Sequence, residues 1–213
     1  MRTPILLPIT LLFACQNPAA DKSKAEVGEA KPEATASGTP AAAGTEVIAL
    51  GPDTSAIEWI GAKVTGQHVG GFKSWRGKLH YVDGKPEASK LEVEIDTESL
   101  FTDNEKLAGH LKSPDFFDVA KFPKATFVST EIKPGGDKGA SHTVVGNLTL
   151  HGVTKSVAFP VTFTQAGQDV SATSEFAINR KEFGLVYPGM PDDLIRDDVV
   201  IKLKINAKRA KAS

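Results

Sequence analysis

Leu91-Glu92-Val93-Glu94-Ile95-Asp96-Thr97-Glu98 alternates without a break. Leucine, valine, isoleucine and threonine fall on one side of an extended chain, and four carboxylates fall on the other. Successive side chains of a strand point to opposite faces, so the stretch reads as a half-buried β-strand. The same period recurs on both sides of it. Val157, Phe159, Val161 and Phe163 make one strand, and Val170 to Ile178 makes another with Phe176 and Ile178 on its inner face. Val199, Ile201, Leu203 and Ile205 alternate with Val200, Lys202, Lys204 and Asn206 to close the pattern. Further strands are expected at Ser55–Gly66, Phe72–Val82, Ala125–Ile132 and Thr143–Leu150. Asp83-Gly84, Pro134 to Asp137, His151-Gly152-Val153-Thr154 and Ala166-Gly167-Gln168 supply the turns between them.

About eight antiparallel strands close naturally into a barrel, which removes exposed edges. Such a barrel is wide enough to be filled by its own side chains or to hold one slender ligand. The expected inner faces are almost wholly apolar, so a ligand there would be a hydrocarbon chain.

One passage breaks the strand pattern, Thr102 to Pro123. Thr102 with Glu105 reads as a capping box, which starts a helix near Asp103. Leu107, His110 and Leu111 then form one stripe at i, i+3 and i+4. Ser113-Pro114 reads as the start of a second short helix, and Phe116, Phe117 and Phe122 follow it. Burying each such side chain is worth roughly 1.5–3 kcal/mol. The segment must therefore cover an apolar surface, and it is expected to cap the barrel with Phe116 and Phe117 over the entrance.

The 213 residues carry a formal net charge of −1 with no basic block, which gives no electrostatic footprint for nucleic acid. The single cysteine, Cys15, excludes an internal disulfide and a cysteine-based zinc site. Beyond the N-terminus no apolar run is long enough to span a bilayer as a helix. Residues 1–14 read as a signal segment, with Arg2 as the charged start and Ile5 to Phe13 as the apolar run. Leu12-Phe13-Ala14-Cys15 resembles a bacterial lipoprotein signal. The resemblance implies cleavage before Cys15, acyl chains on that residue and stable membrane anchoring. Gln16 rather than aspartate after the cysteine leans toward the outer membrane, facing the periplasm. The alternative is an ordinary cleaved signal with a chance cysteine. Residues 15–46 are rich in alanine, proline, lysine and glutamate, with Val27 as the only branched aliphatic residue. They are expected to be a disordered tether with an r.m.s. reach of about 30 Å, followed by a barrel domain over 47–210.

Four stretches, in order, resemble one known family. They are Ile57-Glu58-Trp59-Ile60-Gly61-Ala62-Lys63-Val64-Thr65-Gly66-Gln67-His68-Val69-Gly70, then Asp103-Asn104-Glu105-Lys106-Leu107 through Phe122-Pro123. Gly146-Asn147-Leu148-Thr149-Leu150-His151-Gly152-Val153-Thr154-Lys155 and Asn179-Arg180-Lys181-Glu182-Phe183-Gly184 complete the set. Together they resemble the YceI-like family from about Asp53 to Ala207, although Asn147 and Asn179 stand where aspartate is expected. The resemblance implies an all-β, extended eight-stranded antiparallel lipocalin-like barrel around a long apolar ligand. It also implies a periplasmic or secreted location and ligands such as polyisoprenoids and related amphiphilic lipids.

No catalytic constellation is readable. The five histidines show no zinc-ligand spacing, and Gly-x-Ser-x-Gly is absent. Asp192, Asp193, Asp197 and Asp198 lack the regular spacing of a calcium loop and read as a solvated, partly ion-paired loop. Lys63, Arg180 and Lys181 have the chemistry to bind a phosphate, but on strands or their ends they read as surface charges. His142 is expected in a solvated loop, and His151 bonded to turn backbone. His68 and His110 lie near the helical cap, where they either meet a lipid head group or are structural. Candidate lining and mouth residues are Trp59, Phe72, Leu107, Leu111, Phe116, Phe117, Phe122, Phe127, Phe159, Phe163, Phe176 and Phe183, with His68 and His110. A solid core would carry the same set, and only the resemblance favours a tunnel. The expectation is a binding protein with no enzymatic activity, metal or cofactor. Its partner would be a long-chain isoprenoid or fatty amphiphile, held for storage, sequestration or transport in the cell envelope, with a homodimer possible. The alternative is a packed barrel that acts as an envelope protein-interaction module.

Overall fold

A computed structural model describes residues 17–32 and 45–210. The signal segment, Cys15 and the middle of the tether lie outside the described residues. The strands are β1 (Ser23–Lys24), β2 (Glu26–Glu29), β3 (Thr45–Leu50), β4 (Ala56–Ala62), β5 (Gln67–Phe72), β6 (Trp75–Val82), β7 (Lys90–Asp96) and β8 (Leu100–Thr102). After the helix α1 (Glu105–Lys112) come β9 (Lys124–Pro134), β10 (His142–Leu150), β11 (Val153–Ala166) and β12 (Asp169–Asn179). The short pair β13 (Gly189–Met190) and β14 (Asp193–Leu194) precedes β15 (Asp198–Lys208).

The eight strands read from the sequence are β4, β6, β7, β9, β10, β11, β12 and β15. β1, β2, β3, β5 and β8 join them, so the described residues form one 13-stranded sheet, with β13 and β14 paired separately. Its main path runs β3-β6-β7-β9-β10-β11-β12-β15-β4-β5-β8 and curls into a barrel. The end of β15 is tied back to the other side of the sheet by Arg209, whose guanidinium meets Glu46 at 3.0 Å and Asp83 at 2.7 Å. Alternation places Val144, Val157, Phe159, Val161, Phe176 and Ile178 inside, and Ile48, Leu50, Trp75, Tyr81 and Val170 form a second inner cluster. The β10–β11 turn has only His151 and Gly152 between its strands, at φ 51° and 74°. That is the left-handed geometry that suits a tight hairpin. Phe122 packs against this Gly152, where a Cβ would meet its ring at 2.5 Å.

Two local expectations at the helical passage are corrected. Asn104, not Thr102, caps α1, its side chain accepting from the Leu107 amide at 3.0 Å. Thr102 is already in β8, where its hydroxyl donates to the Val69 carbonyl at 2.8 Å. No second helix follows. Ser113 ends α1, with its hydroxyl donating to the His110 carbonyl at 2.7 Å, and residues 114–121 run as successive turns.

The tether expectation is corrected more deeply. Residues 17–32 form a strap built into the wall. The β11–β12 ladder covers only Thr162–Ala166 against Asp169–Thr173, and beyond it the two strands part. Into that gap come β2, antiparallel to β11 over Lys155–Ala158, and β1, parallel to β12 at Phe176 and Ala177. The Ala25 amide donates to the Ala177 carbonyl at 2.8 Å. Strap docking needs little apolar content because backbone groups do most of the pairing. It also finds something to cover: outward-facing Ala177 and Val200 are buried beneath Ala19, with Ile60 beside them. Lys24 meets Asp198 at 2.7 Å, Lys155 meets Glu29 at 2.7 Å, and Ser23 donates to Asp137 at 2.6 Å.

Asn147 locks the strap's far end. It accepts from the Lys31 amide at 2.9 Å and donates through Nδ2 to the Lys31 carbonyl at 2.7 Å. An amide side chain offers both functions on separate atoms, whereas a carboxylate only accepts. Asn147→Asp turns the donor into a second acceptor facing a carbonyl at a buried site, a loss of roughly 1–3 kcal/mol. Amide exchange at Ala25 and Lys31 should then quicken by about ten-fold or more, while the core amides of β10 and β15 stay protected. Unchanged exchange at Ala25 would contradict the clamp.

Candidate functional site

The interior is sealed at one end and hollow toward the other. At the sealed end α1 and the turns after it bury Leu111 and Phe116 against Trp59 and Leu100, with Leu107, Phe117 and Phe72 partly buried beside them. Trp59 lies flat over its cross-strand partner Gly70, where a Cβ would come within 2.3 Å of the indole. Phe72 and Phe117 meet edge-on at 6.2 Å.

His110 and His68 belong to this end. His110 presents its ring edge-on to Phe116 at 5.2 Å and to Tyr187 at 5.0 Å, and its Nε2 lies 3.1 Å from Asp115. His68 sits 2.8 Å from Asp103 where β5 meets β8. Both pin the cap to the barrel. Neither is among the residues that line the cavity, nor are Trp59, Phe72, Leu107, Leu111, Phe116, Phe117 and Phe122. His151 bonds to backbone through Nδ1, 3.3 Å from the Phe183 carbonyl rather than within its own turn.

Higher in the barrel lies a cavity of about 110 Å³ whose exposed surface is apolar. Of the candidate residues, Phe159 and Phe163 line it. Phe127, Phe176 and Phe183 belong to the packed cluster beneath, where Phe159 stacks on Phe176 at 4.5 Å and tilts against Phe127 at 5.6 Å. The remaining wall is mostly aliphatic, including Leu50, Leu91, Val144, Val161, Ala172 and Leu203.

Two residues read as solvated are not. His142 begins β10 and lines the cavity, with only 12% of its side chain exposed. Its ring meets Phe163 edge-on at 6.0 Å. The loop signal before it, Pro134 to Asp137, gave no hint that the chain turns inward within five residues. Arg180, read as a surface charge, is 5% exposed. Its guanidinium donates to the carbonyls of Arg196, Ile195 and Leu185, with Asp197 at 3.6 Å. Burial pushes its pKa down, against the opposing pull of Asp197. It clamps the loop that leads into β15. The aspartates around it are ion-paired, Asp193 with Lys63 and Asp197 with Lys181. No group of three or more His, Cys, Asp or Glu among the described residues could hold a metal ion. The indole N–H groups of Trp59 and Trp75 are buried without an acceptor among the described residues, the kind of group that a water or a ligand oxygen satisfies.

A family model described as YceI-like domain matches residues 49–207. A UPF0312 protein of Pseudomonas syringae pv. tomato is 40% identical over 139 residues, which cover 62% of this chain and 71% of the relative. A UPF0312 protein of Pseudomonas fluorescens is 38% identical over 153 residues, covering 68% and 79%. Among solved structures, Burkholderia cenocepacia BcnA is similar with a TM-score of 0.64 at 25% identity, over 72% of this chain and 96% of that one. A polyisoprenoid binding domain from Saccharophagus degradans, implicated in plant cell wall breakdown, gives a TM-score of 0.60. At 14% identity, over 78% of this chain and all of that one, it shares the fold alone.

The Asp103 corner makes the sealed end sensitive to acid. Partial burial works to raise the pKa of Asp103, but hydrogen bonds from His68, Thr102 and the Val69 amide outweigh it and hold the carboxyl below its ordinary value. A depressed carboxyl contributes stability that is present above its unfolded pKa and lost as pH falls through the folded one. Exchange at the Val69 amide, corrected for intrinsic rate, should therefore quicken below about pH 4. Asp103→Asn should show the faster exchange already at neutral pH. Exchange that stays flat through that range in the unaltered protein would rule out this role.

Proposed function

This chain belongs to the YceI-like family, and from that membership we propose that it binds the hydrocarbon tail of a long-chain, polyisoprenoid-like amphiphile without transforming it. The observation that carries the reading is the apolar cavity inside the barrel, walled mostly by β-strands and flanked by the stacked rings of Phe159 and Phe176. Transfer of each methylene from water into such a site is worth roughly 0.8 kcal/mol. The empty cavity of about 110 Å³ is smaller than an engineered cavity that binds benzene, about 150 Å³. A tail therefore enters by displacing side chains, and the Phe159–Phe176 stack stands directly in its path down the barrel. The Saccharophagus degradans domain, described as polyisoprenoid binding, supports the ligand class. In the cell the binding would serve storage, sequestration or transport within the envelope, with acyl groups on Cys15 holding the protein to the outer membrane on its periplasmic side.

A second reading, an interaction module, is favoured by one observation. Val64, Val186, Met190 and Leu194 are all about half exposed or more around the β13–β14 hairpin, an apolar cluster of the kind that partner proteins cover.

Native mass spectrometry on residues 16–213, with the strap retained, separates the two. Tail binding predicts a stoichiometric adduct, either co-purified or formed with an added prenyl alcohol. Ala172→Leu, which fills the cavity, should abolish that adduct while raising the stability of the empty protein by about 0.5–2 kcal/mol. A clean mass that stays clean with added prenyl lipid would leave the interaction module as the better reading.

A further inference from the structure

The open end of the cavity is built from two pieces. One is the β6–β7 connection, which contributes Pro86 and Ser89, with Leu91 of β7 beside it, and the other is His142 at the start of β10. Tyr81, the second ionisable side chain of the lining, already bonds through its hydroxyl to Gln165. His142 is held more loosely on one side than on the other.

Its Nδ1 lies 2.8 Å from Ser141 Oγ. That hydroxyl accepts from the Phe163 amide at 2.8 Å and donates to the Val161 carbonyl at 3.2 Å. A serine hydroxyl has one hydrogen. That hydrogen points either to Val161, with the Nδ1–H of His142 donating to Ser141, or to Nδ1 itself. In the tautomer with the hydrogen on Nδ1, Nε2 is an acceptor, and it faces Glu87 Oε1 across 3.5 Å. Two acceptors opposed at that separation are completed by a group that brings hydrogens between them.

Glu87 stands on the turn Pro86–Ala88 and has no lysine or arginine partner among the described residues. Its neighbours are neutralised separately: Lys90 lies 2.9 Å from Glu92, and Glu131 lies 3.2 Å from Lys133. Beside Glu87 a second hollow of about 220 Å³, bounded by Glu87, Lys90, Ser129 and Glu131, shares Ser89 and Ile132 with the apolar cavity. Apolar space and polar space thus lie on either side of Ser89 and Ile132, the adjacency that an amphiphile requires.

We propose that Glu87 and His142, at the Ser89 edge of the cavity, form the head-group subsite, and that Glu87 selects for uncharged or cationic heads that donate hydrogen bonds, such as alcohols and amines, against phosphate and diphosphate. The proposal rests on the tail-binding reading above. An ammonium head brings a hydrogen to each of the two acceptors, and an alcohol brings one, to the Glu87 carboxylate. A phosphate brings more acceptors and a second negative charge to a carboxylate with no other counter-charge.

The test compares three ligands with the same C15 prenyl tail, an alcohol, an amine and a diphosphate, by displacement of a fluorescent lipid probe from residues 16–213. The unaltered protein should bind the alcohol and the amine more tightly than the diphosphate. Glu87→Lys, on an exposed turn outside the strands, should strengthen diphosphate binding by roughly ten-fold, weaken the amine, and leave the alcohol within about three-fold. Glu87→Gln should fall between. Diphosphate preference in the unaltered protein, or an order of affinities that Glu87→Lys leaves unchanged, would overturn the subsite while leaving tail binding intact. Failure of all three to displace the probe or bind directly would remove the tail-binding reading and the subsite with it.

Discussion

Every strand carries a row of N–H and C=O groups along each edge, and an unpaired row beside an apolar interior is costly. Where β11 and β12 part beyond Thr162 and Thr173, two such rows open in the middle of the wall. The strap resolves both at once, pairing antiparallel with β11 and parallel with β12. Val27 and Ala25 then complete the inner cluster that includes Val157, Phe159 and Phe176. The integrity of the apolar interior depends on that inserted segment, and so does the floor of the cavity above it.

The two ends of the barrel do different work. The helical end is closed by contact: Trp59 on Gly70, Phe116 on Trp59 and Leu100, and His110 wedged against Phe116 and Tyr187. Removing any of these aromatics would forfeit several kcal/mol of packing, of order 3–5 for a fully buried ring. The cavity is bordered by a turn of three residues and a histidine, with a polar hollow beside it. A tail that threads the barrel therefore leaves its head among Glu87, Ser89 and His142, and the phenylalanines of the helical passage serve as a plug.

Much of this was legible from residue order. Period-two alternation located all eight long strands, and alternation within β11 correctly set Val157, Phe159, Val161 and Phe163 inward. What alternation does not carry is height along the barrel axis. Phe116, Phe159 and Phe176 look alike in sequence, yet only Phe159 meets the cavity. The strap was hidden because backbone pairing leaves no apolar signature, although outward-facing Ala177 and Val200 were a cue that something covers them. Thr102 fits a capping box as well as Asn104 fits a simple cap, and the choice was made by the Val69 carbonyl, a partner more than thirty residues distant. Arg180 turned inward for the same kind of reason: its partners are backbone carbonyls brought near by the fold. His142 turned inward to the side chains of Ser141, Glu87 and Phe163.

The central claim is that a hydrocarbon tail occupies the upper cavity and leaves the helical end undisturbed. Methyl-resolved NMR during titration of residues 16–213 with a prenyl alcohol tests it most directly. The methyls of Val144, Val161 and Leu203, which line the cavity, should shift together and saturate at one equivalent. Those of Leu107 and Leu111, under the cap, should stay in place. Shifts confined to Leu107 and Leu111, or no saturable shift at any of the five, would contradict it.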